Sequence, residues 1–202
     1  MTTPHVEGRR LSLSHLGICC FDLPKMVAFY TEVLGMTESD RGALPPPMGG
    51  AELVFLTTDP AEHHQLVLVS GRKEGEILKG PALGGSFGSA IFQLSFRMED
   101  LAALRRVRDR LADAGCEHLI PVSHGNAWSL YARDPEGNAL EFVVDSPWYV
   151  HQPCGEPFDL SLDDAEILRR TKALCDARGG EPVEAWRARI ARRIADDQAV
   201  LR

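Results

Sequence analysis

His15, Gln93 and Glu141 lie in LSHLGICC, IFQLSF and NALEFVV, three apolar stretches in which each is a polar residue out of place. If these stretches are strands, side chains alternate between faces. His15 then shares a face with Gly17 and Cys19, Gln93 with Ser95, and Glu141 with Val143. The opposite face carries Leu16, Ile18, Leu94, Phe96, Leu140 and Phe142, a surface suited to packing helices. The polar three are therefore expected to face the interior of paired sheets. A buried carboxylate is costly unless it is paired, protonated or bound to a metal. One imidazole, one carboxylate and one neutral amide oxygen suit a divalent first-row metal that keeps open positions. Plainer roles exist for each: a satisfied interior histidine, a structural carboxylate paired with arginine or backbone, a hydrogen-bonding glutamine.

The elements that must position these residues follow from the apolar spacing. Residues 11–21 read as a strand, apolar on both parities. Asp22 precedes Leu23-Pro24 as an N-cap, and Met26, Val27, Phe29, Tyr30, Val33 and Leu34 recur at helical spacing up to Gly35. A short strand over 36–40, a proline-rich loop over 42–50 and strands over 52–57 and 65–70 follow. Glycine-rich 71–89 reads as a linker or flap. The same order then returns: a strand over 91–98, a helix opened by Glu99-Asp100 and ended by Gly115, and strands over 117–122, 127–133 and 138–145. Asp134-Pro135-Glu136-Gly137-Asn138 is a hairpin signal.

Strand, helix and three strands thus occur twice, which predicts an α+β chain of paired βαβββ modules (11–70 and 90–150) forming an open eight-stranded cavity. Residues 151–202 form a helical C-terminal extension, with helices expected over 163–178 and 182–202. The extension shows no evident chemistry and is expected to pack on the domain or on a second subunit. The net charge of −7 argues against a nucleic-acid partner. No apolar run is long enough for a bilayer and the start lacks a signal pattern, so a cytoplasmic protein is expected. Five cysteines without a CxxC pair read as reduced thiols.

The segment LSHLGICCFDLPKMVAFYTEVLG resembles the opening of type I extradiol ring-cleavage dioxygenases and their one-domain relatives. HHQLVLVS resembles the last strand of their first module, and WSLYARDPEGNALEF their closing hairpin. The likeness covers residues 11–150 and runs on into DSPWYV. Singly, each motif recurs across the vicinal-oxygen-chelate superfamily, which includes glyoxalases and drug-resistance binding proteins. In order, they specify the superfamily and point to its dioxygenase branch.

That resemblance implies a metal held by His15, Glu141 and, where the dioxygenases have a second histidine, Gln93. It implies Fe(II), with Mn, Ni, Zn or Co as other occupants. His64 falls at the place of an active-site acid/base histidine, Tyr131 at that of a tyrosine that donates to a substrate oxygen, and His124 matches a second pocket histidine. A small aromatic substrate with vicinal oxygens, dioxygen and a homodimeric partner are implied with them. Gln65 lies near the glutamate ligand of glyoxalases, and on a regular strand His64 and Gln65 cannot both face the cavity. A glyoxalase-like lyase or isomerase would need Gln65 inward. A non-catalytic binder of an aromatic or antibiotic would need no metal at all.

Overall fold

The computed structural model describes residues 13–45, 49–73 and 91–200, with side chains to residue 197. From residue 74 on, the expected linker or flap lies outside the described residues, as do the first two residues of the expected first strand. The chain divides into two compact units, Met1–Ile77 and Leu78–Arg202.

The first unit begins with β1 (Leu16–Cys20) and α1 (Leu23–Ala28). Asp22 caps α1 by accepting from the Lys25 backbone N–H at 3.0 Å, which satisfies one of the N–H groups left without a helical partner. The helix runs on as a π-turn, Phe29–Val33. The apolar spacing did not foretell that widening, because Phe29 and Tyr30 are buried in it as in an α-helix. Next come β2 (Thr37–Ala43), which reaches into the expected loop, β3 (Glu52–Thr57) and β4 (Leu66–Ser70). The sheet order is β1-β4-β3-β2, with β1 parallel to β4 and the other pairs antiparallel. Met26 and Tyr30 are fully buried, as are Val54, Leu56 and Leu68. Each such side chain contributes about 1.5–3 kcal/mol of transfer free energy.

The second unit repeats the plan with β5 (Leu94–Arg97), α2 (Leu101–Asp113), β6 (Ile120–Ser123), β7 (Ala127–Arg133) and β8 (Ala139–Asp145). Asp100 caps α2 through the Ala103 N–H at 2.7 Å. Leu104 and Leu111 on the helix are fully buried, as are Leu130 and Leu140 on the strands. Two-residue strands β9 (Trp148–Tyr149) and β10 (Glu156–Pro157) follow. They are succeeded by α3 (Asp164–Ala177), β11 (Glu181–Pro182) and α4 (Val183–Val200). The main sheet runs β10-β6-β7-β8-β5, with β5 parallel to β8. Apart from β10, this is the strand order of the first unit, so the internal repeat read from the sequence exists as topology.

Several strands start later than the sequence reading places them, β6 by three residues, and at two of them the shift touches the expected site. His15 and Gln93 stand one residue ahead of β1 and β5, not inside them. The ladder nonetheless reaches His15's neighbour, since the Leu16 N–H donates to the Gln65 carbonyl at 3.1 Å. The three short strands β9, β10 and β11 were also unforeseen, because two residues carry no periodicity.

Candidate functional site

Glu141 is the centre of the polar cluster in the second unit. It lies on β8 between two neighbours in register, Ser95 on β5 and Tyr131 on β7. Side chains directly opposite each other on adjacent strands share a face, so the register brings two hydroxyls to one carboxylate. Ser95 Oγ donates to Glu141 Oε2 at 2.5 Å and Tyr131 OH to Oε1 at 2.9 Å. Ser129, two residues along β7, adds a hydroxyl to Oε1 at 2.7 Å. The Gln93 amide nitrogen donates to Oε2 at 2.5 Å and to Ser95 Oγ at 2.9 Å. Glu141 is only 8% exposed, and all four of these donors are neutral.

His124 follows β6 in the tight turn to β7, where its N–H donates to the Ala127 carbonyl at 2.8 Å. Gly125 in that turn has φ +72°, and a Cβ there would lie 2.3 Å from a Val150 methyl, so glycine is required twice over. His124 Nε2 is 3.0 Å from the Tyr131 hydroxyl and 3.9 Å from Glu141 Oε1. Its Nδ1 donates to the Cys154 carbonyl at 2.6 Å, since a carbonyl can only accept. Burial, then the negative charge and hydrogen bond of Glu141, hold the Tyr131 phenol well above its ordinary pKa.

The C-terminal extension, which the sequence left without a chemical part, buttresses this turn. The Gln152 amide donates to the His124 carbonyl at 2.9 Å and to Asn126 at 3.0 Å. Strand β10 pairs with β6, and the Trp128 indole donates to Thr171 on α3 at 2.8 Å.

The first unit gathers imidazoles. The His15 and His64 rings lie 4.2 Å apart, and His63 Nδ1 is 2.8 Å from His64 Nδ1. Phe55 on β3 packs edge-on against both His63 and His64. His15 is exposed and His64 half-buried. Burial, then the neighbouring imidazoles His15 and His63, press the His64 pKa below its ordinary value. Gln65 is otherwise engaged: its Oε1 accepts from the Thr58 N–H and hydroxyl, both at 2.9 Å, closing the β3–β4 connection.

Each unit therefore collects part of the expected site. His15 joins His64 in the first; Gln93, Tyr131 and His124 join Glu141 in the second. Ser95 and Ser129 were missed as members of the cluster. Strand register was the available signal for the two serines. Among the described residues, no group of three His, Cys, Asp or Glu side chains is arranged to hold a metal ion; an amide oxygen is a further donor that divalent metals take. Gln93 Oε1, which makes no hydrogen bond among the described residues, can supply it. Within the second unit, a buried carboxylate that has no Lys or Arg partner among the described residues and an amide oxygen are donors of the kind that a divalent cation takes.

The comparisons agree with this architecture. A glyoxylase/bleomycin resistance protein/dioxygenase domain from Frankia sp. EAN1pec superposes with a TM-score of 0.53 at 26% identity, covering 67% of this chain and 93% of that one. Biphenyl-2,3-diol 1,2-dioxygenase 3 of Rhodococcus globerulus is 34% identical over 134 residues, 66% of this chain and 63% of that protein. Biphenyl-2,3-diol 1,2-dioxygenase 2 of the same organism is 29% identical over 123 residues, 54% of this chain and 61% of its own length. The chain thus spans about three fifths of the length of these two relatives. Residues 12–142 match the family model described as glyoxalase/bleomycin resistance protein/dioxygenase superfamily, and the chain belongs to that superfamily.

Proposed function

We propose that the chain is a metal-dependent, extradiol-type dioxygenase that cleaves a catechol-like aromatic ring with dioxygen as co-substrate. The observation that carries this reading is the buried Glu141 carboxylate, ringed by neutral donors and backed by the Tyr131–His124 pair. The likeness to two biphenyl-2,3-diol dioxygenases supports the substrate class. His15, Glu141 and the Gln93 oxygen would hold a divalent metal, Fe(II) by that likeness. A metal held there would supply Lewis acidity toward vicinal oxygens and lower the pKa of a hydroxyl bound to it.

The protein's own groups do the rest. His64, kept neutral by its surroundings, accepts the proton of a substrate hydroxyl at a ring nitrogen. Tyr131, whose one proton is held firmly on Glu141, does not act as a base; once Glu141 takes the metal, that O–H would turn to a substrate oxygen. His124, fixed between Cys154 and Tyr131, orients that phenol. Gln65, spent on Thr58, weighs against a glyoxalase-like ligand set.

The test is elemental analysis of protein purified without chelator, followed by anaerobic Fe(II) loading and assay with biphenyl-2,3-diol and simple catechols. A yellow ring-fission product with at least one of them is expected. Stoichiometric metal without product from any catechol would overturn ring cleavage. Failure to retain metal would favour a non-catalytic binder.

A further inference from the structure

We infer that His63, backed by Asp40, is a positioning residue that fixes the tautomer of His64. The two Nδ1 atoms are 2.8 Å apart. Ring nitrogens at that distance share one proton, because two N–H groups would collide and two lone pairs would repel. Which ring carries it depends on what the outer nitrogens meet. His63 Nε2 lies 3.7 Å from Asp40 Oδ2, and a carboxylate draws a proton onto the nitrogen that faces it. A neutral His63 protonated at Nε2 has its lone pair at Nδ1. His64 must then donate from Nδ1, which leaves its Nε2 as a free base nitrogen.

The arrangement is built by the fold. His63 and His64 precede β4 in the bent connection from β3, so strand alternation does not send them to opposite faces. A β-bulge at Ser39 lets Asp40 take the place opposite Phe55, the ring that packs on both imidazoles. A bulge re-aims the side chains beyond it; a regular ladder would set Ser39 opposite Phe55 and turn Asp40 to the other face. The neighbouring Arg41 guanidinium is tied to Glu38 and Glu52, and the Arg41 N–H takes Asp40 Oδ1, so Oδ2 is the oxygen that faces His63. Free imidazole side chains favour the proton on Nε2, the reverse of what a base at His64 Nε2 requires. The bearing of this tautomer on catalysis rests on the proposed dioxygenase reading; the tautomer itself does not.

The experiment is long-range ¹H–¹⁵N correlation of histidine-labelled, metal-free protein at a pH about two units above the ordinary histidine pKa of about 6.5. His64 is expected to carry its proton on Nδ1. In His63→Phe it should revert mainly to the Nε2–H form. In His63→Asn, whose amide oxygen can accept in place of Nδ1, it should stay on Nδ1. Asp40→Asn should give a mixture. In metal-loaded enzyme, His63→Phe should lower kcat about tenfold or more with KM nearly unchanged, and His63→Asn should restore part of it. Wild-type His64 protonated on Nε2, or a tautomer indifferent to His63→Phe, overturns the assignment. The expected tautomers without activity on any catechol would instead overturn the dioxygenase reading and leave the positioning role intact.

Discussion

Superimposing the two strand ladders by register sets unlike residues on like positions. Leu16 pairs with Leu66 in the first unit as Leu94 pairs with Leu140 in the second. One residue on, Val67 takes the place of Glu141. Phe55 pairs with Val67 where Tyr131 pairs with Glu141, and Gly17 stands in the place of Ser95. Ahead of the first strand, His15 corresponds to Gln93. The second unit thus carries a carboxylate with two flanking hydroxyls where the first has valine, phenylalanine and glycine. The first carries clustered imidazoles, His15 and His63 exposed and His64 half-buried, with Phe55 packed on the latter two. Burying a carboxylate demands every donor the register can bring; presenting a histidine at the surface demands little.

That contrast makes the two halves respond differently to loss of a proposed ligand. Glu141→Ala is expected to abolish metal retention and activity. It should also lower stability by about 2–4 kcal/mol, because four donors lose their acceptor. His15→Ala should abolish metal retention as completely while shifting stability by no more than about 0.5 kcal/mol. Denaturant melts with parallel elemental analysis check both. Equal destabilisation by the two changes would break the contrast.

Tyr131→Phe, which installs the first unit's aromatic residue, is the next largest change. It should cost about 1–2 kcal/mol, as Glu141 and His124 both lose a partner. Loss of the donor to substrate should lower kcat/KM by about ten- to a hundredfold. Steady-state kinetics and melts read the two effects separately. Ser129→Ala should follow at about 1 kcal/mol, since Ser129 is fully buried with its hydroxyl on Glu141. Ser95→Ala should cost less, because Ser95 is exposed.

The parts of this contrast that were legible in the sequence are those with a period. The doubled strand–helix–strand order, the Asp22 and Asp100 caps and the Asp134–Asn138 turn all showed as spacing. In the turn, Asp134 Oδ1 accepts from the Glu136 and Asn138 N–H groups at 3.0 and 2.9 Å. The π-turn was hidden because one added residue leaves Phe29 and Tyr30 on the buried face. Ser95 and Ser129 were hidden because their role depends on register between strands distant in sequence. The turning of the Gln93 amide nitrogen toward Glu141 is a local hydrogen-bond choice that no spacing encodes. Asp40 was hidden by a bulge, which breaks the alternation from which faces are read.

The smallest expected effect probes the first unit alone. His64 titrates below its ordinary pKa because of burial and the nearby imidazoles, with Glu62 acting weakly the other way. A histidine whose folded pKa is depressed binds fewer protons in the native state than in the unfolded one. Its stabilising share is therefore present above the ordinary pKa of about 6.5 and is lost as pH falls through the depressed value. Removing the ring at His15 takes away one of the charges that oppose protonation of His64. In metal-free His15→Ala, the His64 midpoint should rise toward the ordinary value, and the loss of stability between neutral and mildly acidic pH should shrink. NMR titration of the ring protons measures the first, and denaturant midpoints at the two pH values the second. A His64 midpoint unmoved by His15→Ala would mean that burial alone sets it, and that the two imidazoles 4.2 Å apart are electrostatically strangers.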